Sequence, residues 1–109
     1  MELTDGSLCA AVMEMTQGLI DADLGGGVVK KRVGLAGRGK RGGARTLVAT
    51  NKGKRWFFLF GFEKNDRANI SAEEKGALQC IAQDLLARAA KELGAQVAGG
   101  TLQEICNDH

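Results

Sequence analysis

The sequence has little histidine and cysteine, the residues on which the commonest zinc sites and thiol nucleophiles depend. It has no proline and no tyrosine, and its one histidine, His109, is the last residue. The cysteines are odd in number, and Cys9, Cys80 and Cys106 do not have the spacing of metal ligands. We therefore expect no metal, no cofactor and no cysteine nucleophile, but three reduced thiols in a cytoplasmic protein.

Long apolar runs are also missing. No segment approaches the roughly 18 consecutive apolar residues of a membrane span, and the opening MELTDGS lacks the charged and apolar regions of a secretory signal. A chain of 109 residues with 44% hydrophobic residues is typical of a single domain with a modest core. We expect that domain to span residues 1–109.

Acidic residues are absent from residues 24–62, although the whole chain has thirteen of them. The same segment holds ten of the fifteen lysines and arginines, so the net charge of +2 conceals a strongly basic middle. This asymmetry indicates a polyanionic partner.

The basic middle also predicts a three-stranded antiparallel meander. Residues 28–35 alternate, with Lys30 and Arg32 on one face and apolar side chains on the other. Residues 44–50 predict a second strand. The almost wholly apolar residues 55–62 predict a central strand that is covered on both faces.

Glycines mark two segments that we expect to be irregular. Residues 36–43, AGRGKRGG, hold four glycines and three cations and predict a mobile, solvated loop. Residues 19–27 end in three glycines and predict a connector. Near the C-terminus, residues 101–106 predict a short extra strand.

Two helices flank the predicted sheet. Residues 4–17 have apolar side chains at helical spacing, and residues 72–93 carry a longer apolar stripe. The second helix begins with Ser71 and Glu74 in a capping box, and Gly94 should end it. The predicted class is α+β, with an N-terminal helix, a three- to four-stranded antiparallel meander sheet and a long C-terminal helix.

Five cations should converge on this sheet. Lys30 and Arg32 project from one face of the first predicted strand, and Arg45 lies on the neighbouring strand. Lys64 and Arg67 follow directly after the third strand. Several cations at one face of a small sheet would form a phosphate site.

Such a cluster could cleave RNA as well as bind it. Crowded cations disfavour one another's charge, so a lysine among them should have a lowered pKa and could act as a general base. Arginines stay charged and can stabilise a pentavalent phosphate. We expect Lys30 or Lys64 to be the base. A binding patch without turnover remains an open alternative.

Other motifs are less specific. The GRGKRGG segment lacks the spacing and the serine or threonine of a phosphate-binding P-loop. Trp56 and the phenylalanines after it could stack on bases, but their strand favours burial in the core. Asp21 and Asp23 could form a carboxylate pair, and a capped loop explains them equally well.

Three segments in order resemble the RelE/HigB-type toxins of bacterial toxin–antitoxin pairs. They are DADLGGGVVKKRV at 21–33, GRGKRGGARTLVA at 37–49 and FFLFGFEKNDRANI at 57–70. The resemblance covers residues 5 to about 93 and is closest to the branch with a GKxGGxR segment between the first two strands of the meander.

The resemblance implies a small α+β fold and an endoribonuclease that cleaves messenger RNA in the ribosomal A site without a metal. It also implies neutralisation by a cognate antitoxin of the helix-turn-helix type. Basic residues at matching positions contact and cleave RNA in the family. Carried over by motif, the catalytic set is Lys30, Arg32, Arg45, Lys64 and Arg67, and the RNA-binding set is Arg38, Lys40 and Arg41.

The chain differs from the family pattern in two ways. Ser71 stands near the place where many relatives carry a tyrosine that stacks on the substrate base. The match starts near Thr4, without the strand and part of the helix that open the family fold, so we expect an exposed sheet edge and pairing with a second copy. Two alternatives therefore stay open: a catalytically silent RNA- or ribosome-binding module, and a truncated toxin that only binds its antitoxin.

Overall fold

The chain folds, in the computed structural model, into one helix, a four-stranded antiparallel sheet and two further helices, which confirms the predicted α+β class. The structure describes residues 3–35, 39–53, 55–103 and 105, and for residues 39–42 it describes the backbone alone. The elements in chain order are α1 (Asp5–Thr16), β1 (Ala22–Gly25), β2 (Val28–Leu35), β3 (Gly39–Thr50), β4 (Trp56–Glu63), α2 (Ala72–Ala87) and α3 (Ala90–Ala98).

Helix α1 begins directly after Thr4, which caps it. The Thr4 hydroxyl accepts a hydrogen bond from the Ser7 backbone N–H at 3.1 Å, which satisfies one of the free donors of the first turn. Ala11 and Met15, four residues apart, are buried against the sheet. The predicted helix is thus confirmed to within one residue at each end.

The sheet has the strand order β1-β2-β3-β4, and every pair is antiparallel. The prediction of a central strand at residues 55–62 is therefore wrong. Strand β4 is an edge strand, since only β3 pairs with it among the described strands. Helices cover both faces of the sheet, and this is why so apolar a sequence suits an edge.

Strand β1 lies inside the segment predicted as a connector, so that prediction is wrong for four residues. The reversal into β2 uses Gly25, Gly26 and Gly27, all with positive φ, a conformation that glycine adopts without strain. Two glutamines of α2 hold this turn. The Gln79 amide donates to the Leu24 and Gly25 carbonyls, and the Gln83 amide donates to that of Gly26 at 2.7 Å.

Strand β3 begins at Gly39, five residues before its predicted start, because the β2–β3 ladder continues to the pair Leu35 and Gly39. Glycines lower the strand propensity of this segment, and the pairing with β2 overrides that preference. The predicted mobile loop is therefore wrong for residues 39–43, and residues 36–38 lie outside the described part of the chain.

The long C-terminal helix is two helices, so its prediction as one is wrong. The chain becomes extended at Arg88, with φ −75° and ψ 143°, and α3 starts two residues later. The Arg55 guanidinium, which precedes β4, donates to the carbonyls of Leu86 and Arg88 and so terminates α2 from outside. Gly94 lies inside α3. The described residues of the predicted C-terminal strand, 101–103 and 105, form no strand.

The two faces of the sheet carry separate apolar clusters. On one face α2 covers buried residues that include Val28, Leu47 and Phe62. On the other face α1 covers Val29 and Val48. The result is a helix–sheet–helix sandwich, in which each face of β2 and β3 has its own neighbours.

The structure also tests the expectation that the three cysteines are reduced. Cys80 is free as expected, and it is exposed. Cys9 is disulfide-bonded, so the expectation of three reduced thiols is wrong for that residue. Cys106 lies outside the described residues.

Across the described residues, no helix combines the length and apolar character that crossing a membrane requires.

Candidate nucleic-acid interface

Three of the predicted site cations share the α2 face of the sheet. Lys30 and Arg32 alternate with buried residues along β2, and Arg45 on β3 is the direct cross-strand partner of Arg32. Directly paired residues of antiparallel strands project to the same side of the sheet. The three side chains therefore lie together, next to the buried Val28 and Leu47 on the same face.

Arg45 lies in the middle of this arrangement. Its other cross-strand neighbour is Phe62 of β4, so it stands between Arg32 and an aromatic ring. Its side chain is half-buried, and among the described residues it makes no ion pair. Two like charges directly opposite repel each other, so this pair is poorly explained by stability alone and suits an anionic ligand.

Arg32 is partly neutralised by an acid from the neighbouring connection. Its backbone N–H donates to the Asp21 carboxylate at 2.6 Å, and its Nε lies 3.6 Å from the same group. Its side chain remains 48% exposed. Asp21 and Asp23 do not form the carboxylate pair that the sequence allowed, because each contacts a different cation.

Arg67 joins the same face from the loop after β4. Its guanidinium carbon lies 5.7 Å from the ring centroids of both Phe60 and Phe62. Its two terminal nitrogens bind the two carboxylate oxygens of Glu74, the contact from Nη1 being 2.9 Å long. This pairing raises the pKa of Arg67, while the same hydrogen bonds lower the pKa of Glu74 to about 2.

Asn69 connects Arg67 with Lys30. Its backbone carbonyl accepts a hydrogen bond from Arg67 Nε at 3.2 Å, and its side-chain oxygen lies 3.4 Å from Lys30 Nζ. The structure therefore brings four of the five predicted catalytic residues to one face: Lys30, Arg32, Arg45 and Arg67.

The remaining predicted residues are less closely tied to that face. Lys64 is exposed in the turn directly after β4, and no described contact joins it to the other four. Lys40 and Arg41 lie on β3, where the structure describes their backbone but not their side chains. Arg38 lies outside the described residues.

Three other cations of the basic segment have structural partners. Lys31 faces the opposite side of β2 and is 4% exposed, where its ammonium binds the Leu19 carbonyl at 2.9 Å and Glu14 at 2.8 Å. Lys52 binds Asp23 at 2.6 Å, a contact that lowers the pKa of that carboxyl group. Arg55 binds the end of α2. The basic segment is therefore only partly a ligand surface.

Phe60 is the site residue that the sequence did not single out. It faces the same side as Leu47, its partner on β3, and is 38% exposed, while Phe62 is buried. Its ring lies 6.0 Å from that of Phe62 and beside the Arg67 guanidinium. An apolar run gives no sign of which ring stays accessible, because accessibility depends on the packing of the folded chain.

Cations beside an accessible ring can bind the two parts of a nucleotide. Arginine and lysine side chains bind phosphate oxygens, and an aromatic face stacks on a base. Arg67 has five N–H donors, of which three bind Asn69 and Glu74, so two remain for a ligand. The face is thus suited to single-stranded nucleic acid.

The fold and this face together define the class of a small α+β protein with a basic sheet surface. A family model described as the RelE toxin of the RelE/RelB toxin–antitoxin system matches residues 1–105. The chain therefore belongs to the RelE toxin family, and its family partner is an antitoxin. No curated protein matches the chain.

Proposed function

We propose that this toxin is a ribosome-dependent, metal-independent messenger RNA endonuclease. The main support is the convergence of Lys30, Arg45 and Arg67 with the exposed Phe60 on one face of the sheet. Membership of the RelE family agrees with that activity. The proposal deepens the family assignment by giving the chemistry to particular side chains.

The proposed reaction is attack by an RNA 2′-hydroxyl on the adjacent phosphorus. Lys30 accepts the hydroxyl proton as the general base, and Lys64 is the alternative base. The bond from O2′ to phosphorus forms as the bond to O5′ breaks, and the leaving oxygen takes a proton from water. Lys30 then returns its proton to the solvent, which leaves a cyclic 2′,3′-phosphate and a 5′-hydroxyl end.

The arginines stabilise the charge that builds up on the phosphate. In this proposal Arg45, which lies opposite Arg32, binds the equatorial oxygens, and the two remaining donors of Arg67 bind from the side of β4. Phe60 stacks on a base next to the cleaved bond. We propose Arg38, Lys40 and Arg41 as further RNA contacts on the basis of sequence.

The test is cleavage of a message on programmed ribosomes by purified protein. Wild-type protein should produce 5′-hydroxyl ends, and Arg45→Ala should lower the cleavage rate about 100-fold or more, because a charged group is lost at the transition state. Lys52→Ala removes a cation that is paired with Asp23 outside the site and should cleave normally. Intact messages with folded wild-type protein would refute the proposal.

A silent RNA- or ribosome-binding module is the second candidate, and the charge pattern alone supports it. It predicts RNA affinity that falls with salt and with the removal of cations, but no cleavage. Cleavage that is lost in Arg45→Ala while RNA affinity persists would exclude it. A toxin that only binds its antitoxin would show neither RNA affinity nor cleavage.

We further propose a cytoplasmic location and a helix-turn-helix antitoxin as the cognate partner. A second copy of the chain is a further proposed partner, because β4 is an edge strand with an apolar sequence. Light scattering across a concentration series tests this association. A mass that stays monomeric at high concentration would exclude pairing through β4.

A further inference from the structure

We propose that Glu74 is a positioning residue that holds Arg67 in the orientation needed for cleavage. This inference rests on the proposed function and extends it to a residue outside the basic set. Glu74 lies in the first turn of α2 and contributes its whole carboxylate to the guanidinium of Arg67.

Glu74 itself is fixed by the start of α2. Its Oε1 accepts a hydrogen bond from the Ser71 backbone N–H at 2.8 Å, and the Ser71 hydroxyl accepts one from the Glu74 backbone N–H at 3.1 Å. The bond from the Ser71 backbone N–H does not depend on the serine hydroxyl, and it restrains the Glu74 carboxylate before any ligand arrives. Glu74 therefore holds Arg67 from a fixed position.

The contacts of Arg67 fix the orientation of its guanidinium but do not use all of its N–H donors. A bidentate carboxylate fixes the plane of a guanidinium, and the bond from Nε to the Asn69 carbonyl fixes its third side. The rings of Phe60 and Phe62 lie beside the same group. Two N–H donors remain, so a phosphate can bind without displacing Glu74.

An arginine held by Glu74 should bind RNA less tightly, but cleave it faster, than an arginine without that partner. Glu74 places a negative charge next to a surface for a polyanion, and this charge opposes RNA binding. The same carboxylate removes the rotamer freedom of Arg67 before the reaction, which favours the transition state. Loss of the charge should therefore strengthen RNA binding while it slows cleavage.

The test compares three variants of the first turn of α2. Glu74→Gln removes the charge that holds Arg67, whereas Glu73→Gln removes the same charge from the neighbouring exposed residue, which has no described contact with Arg67. Ser71→Ala removes the serine half of the capping box and leaves the ion pair. Each protein is checked for folding by circular dichroism and thermal unfolding.

Cleavage is measured on messenger RNA bound to ribosomes, and affinity on a mixed-sequence single-stranded RNA with 2′-O-methyl groups. For Glu74→Gln we expect kcat to fall about 10- to 100-fold with unchanged or tighter RNA binding. Glu73→Gln and Ser71→Ala should keep the wild-type kcat. In an Arg67→Ala background, Glu74→Gln should cause no further loss of kcat, because Glu74 acts through Arg67.

The remaining outcomes overturn the inference in distinguishable ways. If Glu74→Gln cleaves as fast as or faster than wild type, Glu74 does not position Arg67. If Ser71→Ala loses as much kcat as Glu74→Gln, the role of Glu74 is helix capping only. If wild-type protein does not cleave at all, the proposed function itself is wrong and the inference falls with it.

Discussion

Single residues of the basic segment serve different purposes although they have the same charge. Lys30 and Lys31 are neighbours, yet one lies on the face of the candidate site and the other is buried beneath α1 with Glu14. Arg45 makes no ion pair among the described residues, whereas the Arg55 guanidinium binds the carbonyls at the end of α2. The period of two along a strand produces this division.

Phe60 allows a prediction at the scale of one side chain. Phe60→Leu keeps an apolar residue on β4 but removes the flat ring, so single-stranded RNA affinity should fall about fivefold or more, since stacking contributes ~1–3 kcal/mol per base. Fluorescence anisotropy measures this affinity. Phe60→Trp should bind as wild type does, and Met13→Leu, at an exposed apolar position on α1, is the remote control. Unchanged affinity in Phe60→Leu would exclude stacking.

The ion pair of Arg67 and Glu74 predicts a pH dependence of stability. The pKa of Glu74 is about 2 in the folded protein against an ordinary 4.5, because the carboxylate binds the guanidinium and the Ser71 N–H. A lowered pKa stabilises the fold above pH 4.5, and this contribution is lost as the pH falls towards 2. The difference in Tm between wild type and Glu74→Gln should therefore shrink over that range. Glu73→Gln serves as the control, and a difference that is constant with pH would contradict the ion pair.

At the scale of elements, helix α2 is defined at both ends by side chains. Ser71 and Glu74 are its N-terminal cap, and both lie in the helix or directly before it. Its C-terminal carbonyls are bound by Arg55, which lies 31 residues away from Leu86 in the chain. One end is thus a local feature of the sequence, and the other depends on the folded sheet.

Arg55→Ala should loosen the end of α2. The substitution removes charged hydrogen bonds to the carbonyls of Leu86 and Arg88, so the free energy of unfolding should fall by about 1–2 kcal/mol. Hydrogen exchange in the last turn of α2 should accelerate. Arg88→Ala, which breaks only an exposed pair with Asp84, should change stability by less than about 0.5 kcal/mol. Equal effects of the two changes would refute the cap.

At the scale of the whole molecule, the two faces of the sheet separate the candidate site from the contacts that anchor α1. The α2 face carries the candidate site beside its apolar cluster, and the α1 face holds the N-terminal helix through Met15 and the buried Lys31. Strands β2 and β3 contribute side chains to both faces, so substitutions at adjacent positions should affect different properties of the molecule.

Lys30→Met and Lys31→Met test this separation as a matched pair. Lys31→Met should lower the free energy of unfolding by about 1–3 kcal/mol, because it removes the bonds to Glu14 and Leu19, and should keep the cleavage rate of the folded fraction. Lys30→Met should abolish cleavage and change stability by less than about 0.5 kcal/mol. Urea unfolding and ribosome cleavage measure the two effects. The reverse assignment of the two losses would show that the faces are wrongly divided.

The sequence was sufficient for the elements whose signals are local. The capping box at Ser71 and the alternation along β2 depend on neighbours within four residues, and their predictions are confirmed. The shared face of Lys30 and Arg32 follows from the same alternation. The α+β class could be predicted because these patterns change period along the chain.

Other features depend on residues far apart in the chain. The edge position of β4, the pairing that extends β3 through glycines, and the break in the C-terminal helix are absent from local propensity. The exposure of Phe60 also depends on the packing of the folded chain. The pair of Arg67 and Glu74 is closer in the chain, seven residues apart, but it joins two motifs that the sequence presented separately, a site cation and a helix cap.

The sequence by itself determined the basic character of the middle of the chain, the face on which alternate side chains project and the start of each long helix, because these depend on composition and short-range periodicity. Only the tertiary structure decided which cations of this basic segment have partners within the fold. Lys31, Lys52 and Arg55 bind partners that lie between 12 and 33 residues away, and such partners are set by packing of the helices and strands.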